Sequence, residues 1–288
     1  MLSIGADGYE LTLAPEHGGS IASFTRGGRP ILRGSETPSG PLDCGSFPLV
    51  PYCNRIRDGR FSFRGRTVAI APNMTGDPSP LHGDGWLGPW LVESRSEAQA
   101  CLFFSHEPGE WPWAYESRQT FRLGPNGLEA EISCTNRSPD PMPCGLGFHP
   151  YFPCDSTTVI DTAVEQVWEV DELILPTDIA SATGRYALAG TPACGRGLDN
   201  GYGGWGGEML LRHADGAVTR MTSPDARFFQ IYSPETGGLL AAEPVSHANA
   251  ALNEPEERWA ELGLRVLGPG ETMRLRMTVE LQLQEPIA

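Results

Sequence analysis

Short segments of alternating apolar and polar residues, separated by glycine and proline, restrict this chain more than any other feature. Four such segments cover residues 9–13, 59–64, 128–133 and 273–279. Successive side chains of a strand point to opposite faces, so a period of two predicts strands with one face toward a core. The 35 glycines and 26 prolines are spread along the 288 residues, as expected where turns join many short strands.

No convincing apolar segment with a 3.6-residue period separates these strands. Parallel sheets need crossover connections of about a dozen residues, usually helices, so a doubly wound α/β fold is disfavoured. We therefore predict an all-β protein, a single large antiparallel β-sandwich. The chain is long enough, with 40% hydrophobic residues, to bury one large core, and we predict one domain over residues 1–288.

Composition excludes several classes of function. All 21 basic residues are arginine. The absence of lysine excludes Schiff-base chemistry, pyridoxal phosphate anchoring and the lysine of a phosphate-binding P-loop. The net charge of −15 disfavours polyanions, whose phosphates require clustered cations, so we predict no nucleic-acid partner.

The seven cysteines and the N-terminus bear on location. The cysteine count is odd and contains no Cys-x-x-Cys pair, which indicates reduced thiols rather than a disulfide framework or a zinc ribbon. The first residues lack the basic and apolar regions of a signal peptide, and no stretch reaches the roughly 20 apolar residues of a membrane span. We expect a cytoplasmic protein, monomeric or homodimeric, without a membrane segment.

Two histidines lie in turn-like segments rich in glycine, proline and aromatic residues. His82 lies in LHGDGW (81–86) and His149 in FHPYF (148–152). An imidazole beside an aromatic face suits a small polar ligand such as a sugar. The run FPLVPYCNRI (47–56) precedes these segments, and LDNGY (198–202) and AAEP (241–244) follow them.

This ordered set of segments resembles the aldose 1-epimerases, also called galactose mutarotases. Members of that family carry Asn-Arg-Ile, His-Gly and His-x-Tyr-Phe segments, then an acidic residue in a loop and a glutamate on a late strand. The resemblance runs from about residue 18 to residue 243. It implies a galactose mutarotase-like β-supersandwich with a sugar cleft on one open face. The extended FPLVPYCNRI block (47–56) resembles a bacterial subgroup of unassigned sugar preference, while Pro150 and Pro244 depart from the commonest family segments.

Interconverting the two anomers of an aldose requires a proton to leave the C1 hydroxyl while another reaches the ring oxygen. The resemblance implies that Glu243 is the general base, that His149 is the general acid, and that His82 hydrogen-bonds the sugar near its ring oxygen. Partial burial after the apolar run LLAA (239–242) would raise the pKa of Glu243. A solvated glutamate at the end of a strand is the alternative. This chemistry needs no cofactor and no metal.

Four further residues are candidates for substrate binding. The resemblance places Arg55 and Asp199 at positions that bind sugar hydroxyls, and Asn54 contacts the sugar or positions its loop. Trp86 offers an apolar face for sugar C–H groups, with a core tryptophan as the equal alternative. The segment GYGGWGG (201–207) is interpreted as a mobile loop, or a plain flexible turn, whose aromatic residues could close over a ligand.

Three other functions remain open at this stage. A hexose-6-phosphate 1-epimerase of the same fold would hold a phosphate with further arginines. A non-catalytic sugar-binding module would keep the cleft without turnover. A glycosidase or lyase would need two facing carboxylates, whose separation the sequence does not show.

Overall fold

The computed structural model describes residues 1–283, whose regular secondary structure is almost entirely β-strand. The strands, numbered in chain order, are β1 (Leu2–Ala6), β2 (Tyr9–Ala14), β3 (Ser20–Arg26), β4 (Arg29–Leu32), β5 (Pro48–Leu49), β6 (Arg60–Phe63), β7 (Arg66–Ala69), β8 (Leu91–Arg95), β9 (Gln99–His106), β10 (Tyr115–Gly124), β11 (Gly127–Asn136), β12 (Met142–Cys144), β13 (Gly147–Phe148), β14 (Tyr151–Pro153), β15 (Val159–Thr162), β16 (Gln166–Val170), β17 (Pro176–Ser181), β18 (Ala189–Pro192), β19 (Leu198–Gly203), β20 (Glu208–Arg212), β21 (Val218–Thr222), β22 (Phe228–Ser233), β23 (Leu239–Val245), β24 (Arg265–Leu267) and β25 (Thr272–Gln282). The helical segments in this part of the chain are short 3₁₀ turns at Pro41–Asp43, Arg57–Gly59, Gly184–Tyr186, Ala251–Asn253 and Glu256–Arg258. The all-β prediction is confirmed.

The strands form two large sheets and three small ones. One large sheet has nine strands in the order β18-β15-β20-β21-β25-β11-β10-β9-β8. The other has eight, in the order β17-β16-β19-β22-β23-β13-β5, with β14 also paired to β23. The small sheets are β1-β2-β3-β4, β12-β24 and β6-β7. All strand pairings among the described residues are antiparallel, as predicted.

The period of two in the sequence corresponds to burial on one face. In β11, Ile132 is buried while its neighbours on either side are less so, and it lies opposite the buried Leu275 of β25. Burying one such side chain contributes about 1.5–3 kcal/mol. Repeated along long neighbouring strands, this burial stabilises the nine-stranded sheet against the interior.

Both large sheets contribute to one hydrophobic cluster. It extends along the chain from Leu2 to Leu281, and the Tyr9 hydroxyl contacts the backbone O and N of Leu281, each at 3.3 Å. The prediction of one domain over residues 1–288 stays a prediction. Within residues 1–283, no helix has the length and apolar character needed to cross a membrane.

The segment 201–207 is not the predicted mobile loop. Its first three residues belong to β19, and Tyr202 is fully buried. The Trp205 ring stacks on Phe229 with centroids 4.5 Å apart, and its Nε1 donates to Thr162 Oγ1 at 2.9 Å. The glycines obscured strand pairing with β22, which turns Tyr202 away from the sheet face that carries Asp199.

Candidate active site

One face of the eight-stranded sheet carries a row of polar and aromatic side chains. Asp199 of β19 pairs with Tyr232 of β22, and Gln230 of β22 pairs with Glu243 of β23. Directly paired residues share a face of a sheet, as do residues two apart in one strand. These four side chains therefore project from the same face, where Tyr151 of β14 joins them through its pairing with β23.

Two loops close over this face and are hydrogen-bonded to each other. The backbone N–H of Asn54 donates to His82 Nδ1 at 3.0 Å, and the N–H of His82 donates to the Asn54 carbonyl at 3.0 Å. Both residues have left-handed backbone conformations, with φ of 60° and 59°. The chain approaches itself so closely here that a Cβ on Gly83 would lie 2.2 Å from the Val50 carbonyl oxygen.

The sheet face and the two loops enclose a cleft of about 240 Å³. Pockets for drug-sized ligands span roughly 300–1,000 Å³, so this cleft suits a smaller molecule. Its lining residues are Leu42, Phe47, Asn54, Arg55, Met74, Leu81, His82, Trp86, His149, Tyr151, Asp199, Tyr232 and Glu243. All seven residues selected from the sequence are among them. Their individual roles stay predictions.

His149 and Glu243 contact each other in the cleft. The Nε2 of His149 lies 3.1 Å from Oε1 of Glu243, and the two residues are 8% and 2% exposed. Burial lowers the pKa of His149 to about 3 and raises the pKa of Glu243 well above its usual value. The carboxylate of Asp199 raises the Glu243 pKa further, while Arg55 opposes the rise. Glu243 is thus buried rather than solvated.

The second carboxylate oxygen of Glu243 is left unsatisfied. Its Oε2 is buried and has no hydrogen-bond partner among the described residues. A buried carboxylate oxygen without a partner is costly. A hydroxyl placed beside Oε2 would satisfy it, while Oε1 keeps its contact with His149.

His82 is a neutral hydrogen-bond donor. Its Nδ1 accepts the N–H of Asn54, so the ring proton resides on Nε2. Burial lowers the pKa of His82 well below its usual value, and positive charge on His149 and Arg55 would lower it further. The rings of His82 and His149 have centroids 5.5 Å apart and are nearly perpendicular. His82 can therefore donate one hydrogen bond to a ligand beside His149.

Aromatic rings hold the two histidines in place. Phe47 stacks on His149 with centroids 4.4 Å apart and meets His82 edge-on at 5.9 Å. Trp86 lies 5.2 Å from Phe47, is only 2% exposed, and donates from Nε1 to the Leu81 carbonyl at 3.0 Å. Trp86 thus contributes a narrow edge to the cleft and most of its ring to the core.

The polar groups opposite the histidine pair are oriented by their neighbours. Arg55 Nε donates to Asp77 Oδ2 at 2.9 Å, and its Nη1 donates to Asn54 Oδ1 at 3.1 Å. Gln230 Nε2 donates to Asp199 Oδ1 at 2.8 Å. Burial raises the pKa of Asp199, against the effects of Arg55 and of this hydrogen bond. Carboxylate and guanidinium groups are thus preset to receive hydroxyl groups.

The sequence selection missed several residues that shape the cleft. Gln230 lies within an apolar strand, and a polar residue in such a strand is a usable signal. Asp77 lies in Gly-Asp-Pro-Ser, a pattern that predicts only a turn. Tyr232 and Leu42, at 38% and 46% exposed, are at the mouth and had no signal beyond their strand and loop positions.

Within residues 1–283, no three or more His, Cys, Asp or Glu side chains are grouped so that they would hold a metal ion. The third buried histidine, His247, is occupied by the backbone. Its Nε2 accepts the Cys53 N–H at 2.9 Å, and its Nδ1 lies 2.8 Å from the Ala248 carbonyl oxygen. It supports the loop that carries Asn54.

Comparison with known proteins places this geometry in context. The family model described as Aldose 1-epimerase matches residues 1–280. The chain is 30% identical over 278 residues to YphB of Escherichia coli (strain K12), an uncharacterised protein, covering 93% of this chain and 94% of YphB. A crystal structure of a galactose mutarotase-like protein from Clostridium acetobutylicum superposes with a TM-score of 0.86 at 19% identity, covering 98% and 95% of the two chains.

Proposed function

Since this chain belongs to the aldose 1-epimerase family, we propose that it interconverts the α and β anomers of a free hexose by acid–base ring opening. The observation that carries this proposal is the buried contact of 3.1 Å between His149 Nε2 and Glu243 Oε1 at the base of a small polar cleft. Binding a sugar alone does not require an acid and a base side by side.

The proposed reaction begins with two proton transfers. Glu243 removes the proton from the C1 hydroxyl while His149 gives its Nε2 proton to the ring oxygen, and the C1–O bond of the ring breaks. The C1 hydroxyl oxygen and the ring oxygen are both bonded to C1 and are therefore neighbours. His149 Nε2 and Glu243 Oε1 are likewise neighbours in the cleft. Each positioned acid or base typically contributes about 10²–10⁴-fold.

The open-chain aldehyde then turns about its C1–C2 bond. Reversal of the two proton transfers closes the ring on the other face of the carbonyl. In the open-chain state Glu243 is a carboxylic acid and His149 a neutral imidazole. Burial favours these uncharged forms, because it raises the pKa of Glu243 and lowers that of His149. The site therefore stabilises the aldehyde state, and His82 donates to the sugar beside it.

The charges of the cleft favour a neutral sugar over a sugar phosphate. Among the described residues that line it, Arg55 is the one guanidinium, and Asp77 already pairs with it at 2.9 Å. Arg33 lies outside the lining, over the Tyr151 ring, and donates to backbone carbonyls. Asp199 and Glu243 add acidic groups. A phosphate would find no cation in this lining whose charge is not already paired with a carboxylate.

The test is polarimetry on freshly dissolved α-D-glucose and α-D-galactose. We expect the protein to accelerate the relaxation of optical rotation with at least one sugar. Glu243→Gln and His149→Asn should each lower the enzymatic rate by about 10²–10⁴-fold. Glu10→Gln, an exposed carboxylate on β2, serves as the matched control and should keep full activity.

Three outcomes would redirect the assignment. Activity that survives Glu243→Gln would contradict the proposed base. Faster turnover of glucose 6-phosphate than of glucose would favour the hexose-6-phosphate 1-epimerase. Finite sugar affinity without acceleration would identify a binding module.

We infer a reducing, cytoplasmic location from the thiols, since all seven cysteines are free. The substrate partner is a small aldose. That the protein is a monomer or a homodimer stays a prediction.

A further inference from the structure

Asp77 lies outside every segment discussed for the reaction, yet it is buried against the cleft. Its Oδ2 accepts from Arg55 Nε at 2.9 Å, and the two side chains are 8% and 11% exposed. Its Oδ1 accepts the Ser79 N–H at 2.8 Å, which holds the carboxylate in a tight turn. Met74 of the same loop lines the cleft. The loop between β7 and His82 thus places the carboxylate of Asp77 beside the Nε of Arg55.

The arrangement leaves one side of the guanidinium free for a ligand. Of the five N–H groups of an arginine, one on Nε binds Asp77 and one on Nη1 binds Asn54. The remaining three are on the two Nη atoms, and Arg55 lines the cleft. Asp77 therefore sets the rotation of the fork, because Nε–H can reach it only in one orientation of the planar group.

We propose that Asp77 is a positioning residue, which orients Arg55 toward the sugar and offsets the positive charge that Arg55 presents to the His149–Glu243 pair. This inference rests on the proposed function for its kinetic consequence. The electrostatic consequence belongs to the protein without substrate and can be measured separately.

Several titratable and charged groups surround the His149–Glu243 pair. The groups that act on the pair or on the residues next to it are Arg33, Cys53, Arg55, Asp77, His82, Tyr151, Asp199, Tyr232 and His247. Arg55 favours the ionised forms of Asp199 and Glu243, whereas Asp77 opposes ionisation of Asp199. Neutralising Asp77 leaves the field of Arg55 uncompensated, so the pair would lose its proton at lower pH.

The test compares Asp77→Asn with wild type in two measurements. Titration of the free protein, followed through the carboxyl ¹³C shift of Glu243, should show the midpoint of the pair lowered by about one pH unit. In mutarotation assays, the pH profile of kcat/KM should move to lower pH by a similar amount. KM should rise about tenfold, because Arg55 is no longer held in the orientation that binds the sugar. Asp77→Glu, which keeps the charge, should restore the midpoint.

Asp225→Asn is the matched control. Asp225 also accepts from an arginine Nε, that of Arg276 at 2.8 Å, but this pair is exposed and Arg276 lies on β25 of the nine-stranded sheet. The Asp225→Asn substitution should shift neither the titration of Glu243 nor the pH profile of kcat/KM. An unchanged Glu243 midpoint in Asp77→Asn would overturn the proposal, whatever its activity. A wild-type protein without mutarotase activity would instead overturn the proposed function, and the titration alone would still decide the role of Asp77.

Discussion

At the scale of single residues, three buried histidines have three different hydrogen-bonding states. His247 has both ring nitrogens occupied by backbone groups, and His82 has one occupied and one free to donate. His149 has Nε2 on Glu243, and its Nδ1 has no partner among the described residues. Only His149 meets a group with which it can exchange a proton. The environment of each ring, rather than the residue type, selects it for acid–base chemistry.

The His149–Glu243 pair predicts the pH dependence of the reaction. The active form holds one proton between the two groups, so activity is lost when the pair gains a second proton or loses its only one. Burial lowers the His149 pKa to about 3 and raises that of Glu243. The acid limb of kcat/KM should therefore lie far below pH 6, the alkaline limb well above the ordinary glutamate pKa of 4.5, and the profile should be flat between them.

Initial-rate polarimetry, corrected at each pH for the uncatalysed reaction, measures this profile. An acid limb centred near the ordinary histidine value of about 6.5 would contradict a desolvated pair. His17→Gln changes a histidine that does not line the cleft and should reproduce the wild-type profile.

At the scale of elements, the site depends on strand register and on loops that touch backbone to backbone. The pairing of Gln230 with Glu243 and of Asp199 with Tyr232 puts the acidic residues on one face. A shift of one residue in either strand would turn them into the core. The loop of His82 lies outside the named strands, and it is held by an isolated antiparallel bridge between Leu81 and Arg55, by its hydrogen bonds with Asn54 and by the close approach of Gly83 to Val50.

Gly83→Ala tests the fit of that loop. A Cβ there would lie 2.2 Å from the Val50 carbonyl oxygen and 2.4 Å from Pro51 Cδ, at a φ of +73°. We expect a loss of unfolding free energy of at least about 2 kcal/mol, since clash and backbone strain act together. Activity should fall with it because His82 is displaced. Urea unfolding measures the first effect and polarimetry the second.

Gly28→Ala is the matched control for backbone strain. Gly28 has a φ of +79°, but a Cβ added there would have no heavy atom within 4 Å beyond its chain neighbours. Its cost should be about 1 kcal/mol, the cost of a left-handed alanine. Equal destabilisation by the two substitutions would show that the contact with Val50 is not tight.

At the scale of the whole molecule, the buried carboxylate of Glu243 opposes stability above its ordinary pKa. The folded protein keeps a proton on Glu243 at pH values where the unfolded chain, with a pKa near 4.5, has lost it. The unfolding free energy contributed by this group is therefore highest below pH 4.5 and declines as pH rises toward the folded pKa. The site keeps a proton donor and acceptor at the expense of stability.

Glu243→Gln should accordingly gain stability relative to wild type as pH rises. Between pH 4.5 and the raised folded pKa, the difference in unfolding free energy should grow by about 1.4 kcal/mol per pH unit. Urea unfolding at several pH values measures it. Glu10→Gln, at an exposed position on β2, is the matched control. A constant difference for Glu243→Gln would mean that Glu243 titrates normally in the folded protein.

The sequence by itself determined the strand content, the antiparallel fold class and the seven residues that meet in the cleft. Alternation and turn residues are local properties, and the ordered motifs identified the family. It could not determine that Asp77 holds Arg55 or that segment 201–207 is partly a strand, and it left a solvated Glu243 open as the alternative to a buried one. Those features depend on contacts between distant segments, such as Arg55 with Asn249, 194 residues apart. Desolvation and register exist only once the sheets have packed, so the tertiary structure alone decided them.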